Sequence, residues 1–101
     1  TKQYMIDWSS FTMHAIVTVI GHDRVGIIAG ICVALANVNV NVLDITQTIL
    51  GGMFTMIMLV DLAEASAPFA EIASALDGEG ERLGVNIRIQ REDIFNAMHR
   101  I

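Results

Sequence analysis

The chain has 101 residues, of which 53% are hydrophobic and 17% charged, with a single proline and a mean hydropathy of +0.55. That length fits one domain, and that much apolar side chain excludes a disordered polymer. Six Lys and Arg against eleven Asp and Glu give a net charge of −5, the wrong sign for a protein that gains affinity by displacing counterions from nucleic-acid phosphates.

The lone cysteine, Cys32, excludes an intrachain disulfide framework and points to a reducing cytoplasm. The longest uninterrupted apolar run, 25–36, spans twelve residues, short of the roughly twenty that a membrane-crossing helix needs. Residues 1–12 carry neither a long apolar stretch nor a small-residue cleavage pattern. They read as an N-terminal extension before a domain over 13–101, with Met5 or Met13 as the natural start, and not as a signal peptide.

In chain order, the β-branched run from Met13 to Ile20 predicts a first strand that leaves into a turn at Gly21. Ile27, Ile31, Ala34 and Leu35 recur at helical spacing, so a helix is expected from a cap at or near Asp23 to about Asn37. From Val40 to Leu50, Asp44, Thr46 and Thr48 alternate with Leu43, Ile45 and Ile49, a strand with one polar face. Gly51 and Gly52 then signal a tight hairpin into a third strand, Met53 to Asp61. Ser66 is expected to cap a second helix with Pro68 in its first turn and Phe69, Ile72, Ala73 and Leu76 as its apolar stripe, ending near Gly78 and Gly80. Val85, Ile87 and Ile89 alternate with polar residues in a fourth strand, and Ile94, Phe95 and Met98 predict a short C-terminal helix.

The order strand-helix-strand, hairpin, strand-helix-strand with right-handed crossovers predicts an α+β ferredoxin-like βαββαβ sandwich. It has a four-stranded antiparallel sheet, the first and third strands in the middle and both helices on one face. The third strand is apolar in both alternating sets, so the opposite face also needs a cover. Leaving it wet costs about 25 cal/mol per Å² of apolar surface. A second copy of the chain is favoured over the chain's own C-terminal helix, and the two are compatible.

The stretch Val19-Ile-Gly-His-Asp-Arg-Val-Gly-Ile-Ile28, then Asn39-Val-Asn-Val-Leu-Asp-Ile-Thr-Gln-Thr48, then the strand Phe54-Thr-Met-Ile-Met-Leu-Val60, resembles an ACT domain over about residues 13–100. The likeness is greatest to free-standing single-domain members, an uncharacterised group related to the glycine-cleavage regulator type. The resemblance implies a regulatory amino-acid-binding domain acting as a homodimer or higher oligomer. Its effector pocket would be built from Gly21, His22, Asp23, Arg24, Val25 and Gly26 with Asn41, usually at a dimer interface. The chemistry is sound: a helix N-terminus offers unpaired N–H groups to a carboxylate, Arg24 adds positive charge, and Asp23 suits an ammonium. Asp23 departs from the Asn of several relatives. The plainer reading gives Asp23 to helix capping, Gly26 to close packing and Asn41 to a turn.

No phosphate-binding glycine loop, nucleophile elbow or activated cysteine is present, so no catalytic residue, cofactor or enzyme activity is expected. His14, His22 and His99 are too dispersed to predict a metal site. Gly26 and Gly30 read as helix packing, and Cys32 and the methionines as core filling. The acidic residues between Asp61 and Glu81 read as the solvent face of the second helix. The alternative function is a ligand-free protein interaction module of the same fold.

Overall fold

A computed structural model describes residues 13–91 as four strands and two helices in the order β1 His14–His22, α1 Ile27–Asn37, β2 Asn41–Leu50, β3 Met53–Asp61, α2 Phe69–Leu83 and β4 Val85–Arg91. The N-terminal extension and the expected C-terminal helix, with His99, lie outside the described residues. The strands form one antiparallel sheet in the order β2-β3-β1-β4, the expected ferredoxin-like arrangement with β1 and β3 central.

Alternation along the central strands sets the core. Ala15, Val17 and Val19 of β1 and Phe54, Met56, Met58 and Val60 of β3 are buried. They pack with Ile27, Ile31 and Leu35 of α1 and Ile72, Leu76 and Leu83 of α2. The sheet's other face carries Ile16, Thr18 and Ile20 beside Leu59, Ile57 and Thr55. On that face Asp44, Thr46 and Thr48 of β2 flank one side, and Gln90, Arg88 and Asn86 of β4 flank the other.

Several local expectations are corrected. β1 does not turn at Gly21: it runs to His22, with Gly21 paired to both Phe54 and Val85. A Cβ on Gly21 would meet Val85 Cγ1 at 2.7 Å, so glycine here serves strand packing. Asp23 does not cap α1. The N-cap is Gly26, whose φ of 94° is left-handed, with no side-chain cap. A Cβ on Gly26 would meet nothing within 4 Å, so its backbone conformation, and not close packing, calls for glycine. Ser66 does not cap α2 either. Its N–H donates to the Val38 carbonyl at 2.9 Å, and Pro68, in extended conformation, precedes the first turn.

Helix α2 passes through Gly78 and Gly80 and stops at Gly84, φ 75°. A Cβ on Gly80 would stand 2.8 Å from the Val85 carbonyl oxygen, so that glycine permits α2 to lie close on β4. In β2 the register shifts between Val42 and Asp44. The bulge takes Leu43 out of the simple alternation with Ile45 and Ile49.

Candidate functional site

The β1–α1 loop lies at one end of the sheet, where Met53 of β3 pairs with His22 of β1 on one side and with Leu50 of β2 on the other. Two long-range hydrogen bonds fix it. The Asp23 N–H donates to the Gly52 carbonyl at 2.9 Å. Arg24 Nη1 donates to the Leu83 carbonyl at 2.6 Å. The first bond ties the loop to the β2–β3 hairpin. The second places a cation at the C-terminal end of α2, where its partial negative charge is greatest.

After Arg24 the chain turns through Val25, which is 100% exposed, and enters α1 at Gly26. The first amides of a helix have no intrahelical acceptor, and the first turn of α1 holds no acidic side chain to occupy them. His22, Asp23, Arg24, Val25 and Gly26 are all exposed, and Gly21 is half-buried. Residues 22–26 thus form a contiguous exposed stretch that carries both signs of charge and ends where the first-turn amides of α1 begin.

Asn41 is not part of it within one protomer. Asn41 pairs with Asp61, at the opposite end of β3 from Phe54 and Met53. At about 3.4 Å per residue, the separation along the strand is on the order of 24 Å. Sequence reasoning also missed the Gly51–Gly52 turn and the end of α2 as the groups that hold the loop. The two glycines are legible as a hairpin signal, but no local pattern reports that the Gly52 carbonyl receives the Asp23 N–H.

β2 is an edge strand, and every residue from Leu43 to Leu50 is exposed. Ile45 and Ile49, which share the helix side of the sheet with Met58 and Phe54, remain 41% and 51% exposed, so helix cover does not reach them. On the outer surface of the helices, Gly26, Ala29, Gly30 and Val33 of α1 and Ala75 and Arg82 of α2 line an open groove of about 560 Å³. Arg82 Nε donates to Glu79 Oε2 at 3.1 Å across one turn of α2. That bond holds the Glu79 carboxyl below its ordinary range and the Arg82 guanidinium above its own. Among the described residues no group of three His, Cys, Asp or Glu is placed to hold a metal ion, and His14 and His22 stand at opposite ends of β1. No helix of the described residues is long and apolar enough to cross a membrane.

A family model for the ACT domain matches residues 13–90. A UPF0237 protein of Listeria innocua is 51% identical over 89 residues, which is 88% of this chain and 100% of that relative. Among solved structures, an ACT domain protein from Streptococcus pneumoniae superposes with a TM-score of 0.73 at 37% identity, covering 83% of this chain and 94% of that one. The regulatory subunit of aspartate kinase from Thermus thermophilus, in its ligand-free form, gives a TM-score of 0.62 at 25% identity over 80% of this chain and 52% of that one.

Proposed function

Because the chain belongs to the ACT domain family, matched over residues 13–90, we propose that it is a non-catalytic regulatory domain that binds an amino acid or similar small molecule between two copies of itself. The observation that carries this reading is the separation of Asn41 from the 21–26 loop, together with the unpaired edge of β2.

Antiparallel pairing of two β2 edges about a two-fold axis reverses the strand. It therefore carries the partner's Asn41 to the end where the loop lies. Residues directly opposite in an antiparallel pair share a face, so the axis passes through a residue and not between two. Centred on Thr46, the pairing sets Asp44 against the partner's Thr48 and brings the partner's Asn41 beside Gly51, next to the turn that holds Asp23. The exposed Ile45 and Ile49 are covered in the same step.

In the resulting site the ligand carboxylate takes the free amides at the start of α1, with Arg24 as a neighbouring cation. Asp23 and the partner's Asn41 receive the ammonium. A ligand bound this way favours the paired state over the separated one, which is the differential affinity that regulation requires. The half-buried thiol of Cys32, with no second cysteine in the chain, suits a cytoplasmic regulator.

Isothermal titration of the intact chain with each proteinogenic amino acid tests the reading. At least one member should give heat. Asp23→Ala and Asn41→Ala should each weaken it by about tenfold or more, from the ~1.5 kcal/mol that a hydrogen bond to a charged group contributes, with the dimer intact. No heat from any member, with dimers present, would replace this reading by the ligand-free interaction module.

A further inference from the structure

We propose that the outer edge of β4 takes up an extended segment of a partner protein as a fifth strand, one that reads apolar, acidic, basic, polar, basic. This edge is the opposite margin of the sheet from β2, so the binding does not depend on the pairing of β2 edges.

β4 pairs with β1 from Val85 opposite Gly21 to Arg91 opposite Ala15, and among the described residues no strand pairs with its other side. An outer strand leaves a row of backbone N–H and C=O groups unpaired, which is a template for an added strand. The edge is also one wall of a furrow. Two clefts of about 370 and 290 Å³ lie along it, one beside Val85 to Arg88 and the other beside Ile87 to Gln90, and Asp77 of α2 lines both. Helix α2 comes low enough over β4 to form the other wall because residue 80 has no side chain: a Cβ on Gly80 would stand 2.8 Å from the Val85 carbonyl oxygen.

The furrow's chemistry selects its occupant. Ala73, Asp77 and Glu81 recur every four residues and so line up along the side of α2 that borders this edge. Only Gly84 separates α2 from β4, so the two run in opposite directions, with Glu81 toward Val85 and Ala73 toward Ile89. Asp77, Glu81 and Arg88 are exposed and have no ion-pair partner among the described residues. Carboxylates four residues apart on a helix are separated by about 6 Å along its axis, and alternate residues of a strand by about 6.8 Å. Two lysines at alternate positions of an added strand therefore meet Asp77 and Glu81 together.

Antiparallel addition, the arrangement of the existing sheet, puts the first lysine opposite Ile87 and the second opposite Val85. The residue before the first lysine then stands opposite Arg88, where an acidic side chain pairs with the guanidinium. The residue before that lies opposite Ile89 and beside Ala73, which suits an apolar group. The same charges disfavour a second copy of this chain on the edge. Two β4 edges paired about a two-fold axis set their α2 helices side by side, so that the carboxylates of Asp77 and Glu81 face their own copies. Main-chain hydrogen bonds supply the affinity, and the charge pattern supplies the choice of partner.

Amide NMR of the full isotope-labelled chain, titrated with the peptide acetyl-Ser-Val-Glu-Lys-Thr-Lys-Ser-amide, tests this. Shifts should cluster on Val85–Arg91 and on Asp77 and Glu81. Asp77→Lys combined with Glu81→Lys should weaken binding by about tenfold or more, and a peptide with both lysines replaced by glutamate should recover it. The lysine peptide methylated on the amides that face β4 keeps its charge but loses its main-chain donors, and it should not bind the wild type. That comparison needs no variant to fold.

Binding that survives methylation, an affinity unmoved by charge reversal, or no shift at β4 at millimolar peptide would overturn the proposal. So would shifts centred on β2 or on residues 22–26. Shifts at β4 that appear only after residues 1–12 or 92–101 are removed would overturn it as well, because a segment of the chain itself would then be the occupant.

Discussion

The two sides of β3 are nearly equal in apolar content and opposite in fate. Phe54, Met56, Met58 and Val60 are fully or almost fully buried under the helices, whereas Met53 and Ile57 on the other side are more than two-fifths exposed. A central strand flanked by β1 and β2 places every second side chain on each face. Which set becomes core depends on where the helices land. Hydrophobicity therefore identifies a strand that needs two covers, while topology decides which cover the chain itself supplies.

The contrast is sharpest in a pair of adjacent substitutions. Met58→Ala should lower unfolding free energy by about 2–5 kcal/mol, because it removes a fully enclosed side chain and leaves a cavity. Ile57→Ala, one residue away, should change it by less than about 1 kcal/mol when measured by urea titration at concentrations where assemblies are dissociated. Equal losses at the two positions would show that both faces are covered within one protomer.

A smaller effect probes the contact that holds α2 on the covered side. Gly80→Ala puts a methyl group against the Val85 carbonyl, which backbone cannot yield without moving β4. The expected loss is about 1–3 kcal/mol. Gly78→Ala, with nothing within 4 Å of the added carbon, should be neutral or slightly stabilising by the helix propensity of alanine.

The smallest effect lies outside both faces, at the pair formed by the half-buried Glu79 and the exposed Arg82 on α2. The hydrogen bond from Arg82 lowers the Glu79 carboxyl below its ordinary 4.5. A depressed carboxyl contributes stability above its unfolded-state value, and that contribution disappears as pH falls through the folded-state value. Glu79→Gln should thus melt slightly below the wild type near neutral pH, with the gap closing below about pH 4.5 and shrinking in high salt. A gap that widened on acidification would contradict the assignment.

Much of this architecture is legible in the sequence alone. The strands β1, β2 and β4 follow from β-branched runs and period-two alternation, and the hairpin into β3 follows from Gly51 and Gly52. The strand order follows from crossover handedness. The errors share one cause. Read locally, Gly21, Gly78 and Gly80 end elements, because glycine is a local punctuator. In the fold, Gly21 and Gly80 answer a close approach by β4, a partner distant from Gly21 in the chain. Asp23 and Ser66 have the composition of caps, but their backbone amides are spent on Gly52 and Val38.

The candidate site divides in the same way. The cluster from Gly21 to Gly26 is contiguous, so the chain's covalent order already keeps it together. Asn41 is separated from it by most of the length of β3, a distance set by strand register.

By itself the sequence determined the element types, their order and the excess of apolar surface, because periodicity and turn chemistry act over a few neighbouring residues. Only the tertiary structure decided which face of the sheet is roofed, that β2 is an uncovered edge, and that the loop is tied to Gly52 and Leu83. Those facts depend on contacts between residues up to 76 positions apart, as in the pairing of Ala15 with Arg91, and such contacts are fixed by packing the whole domain at once.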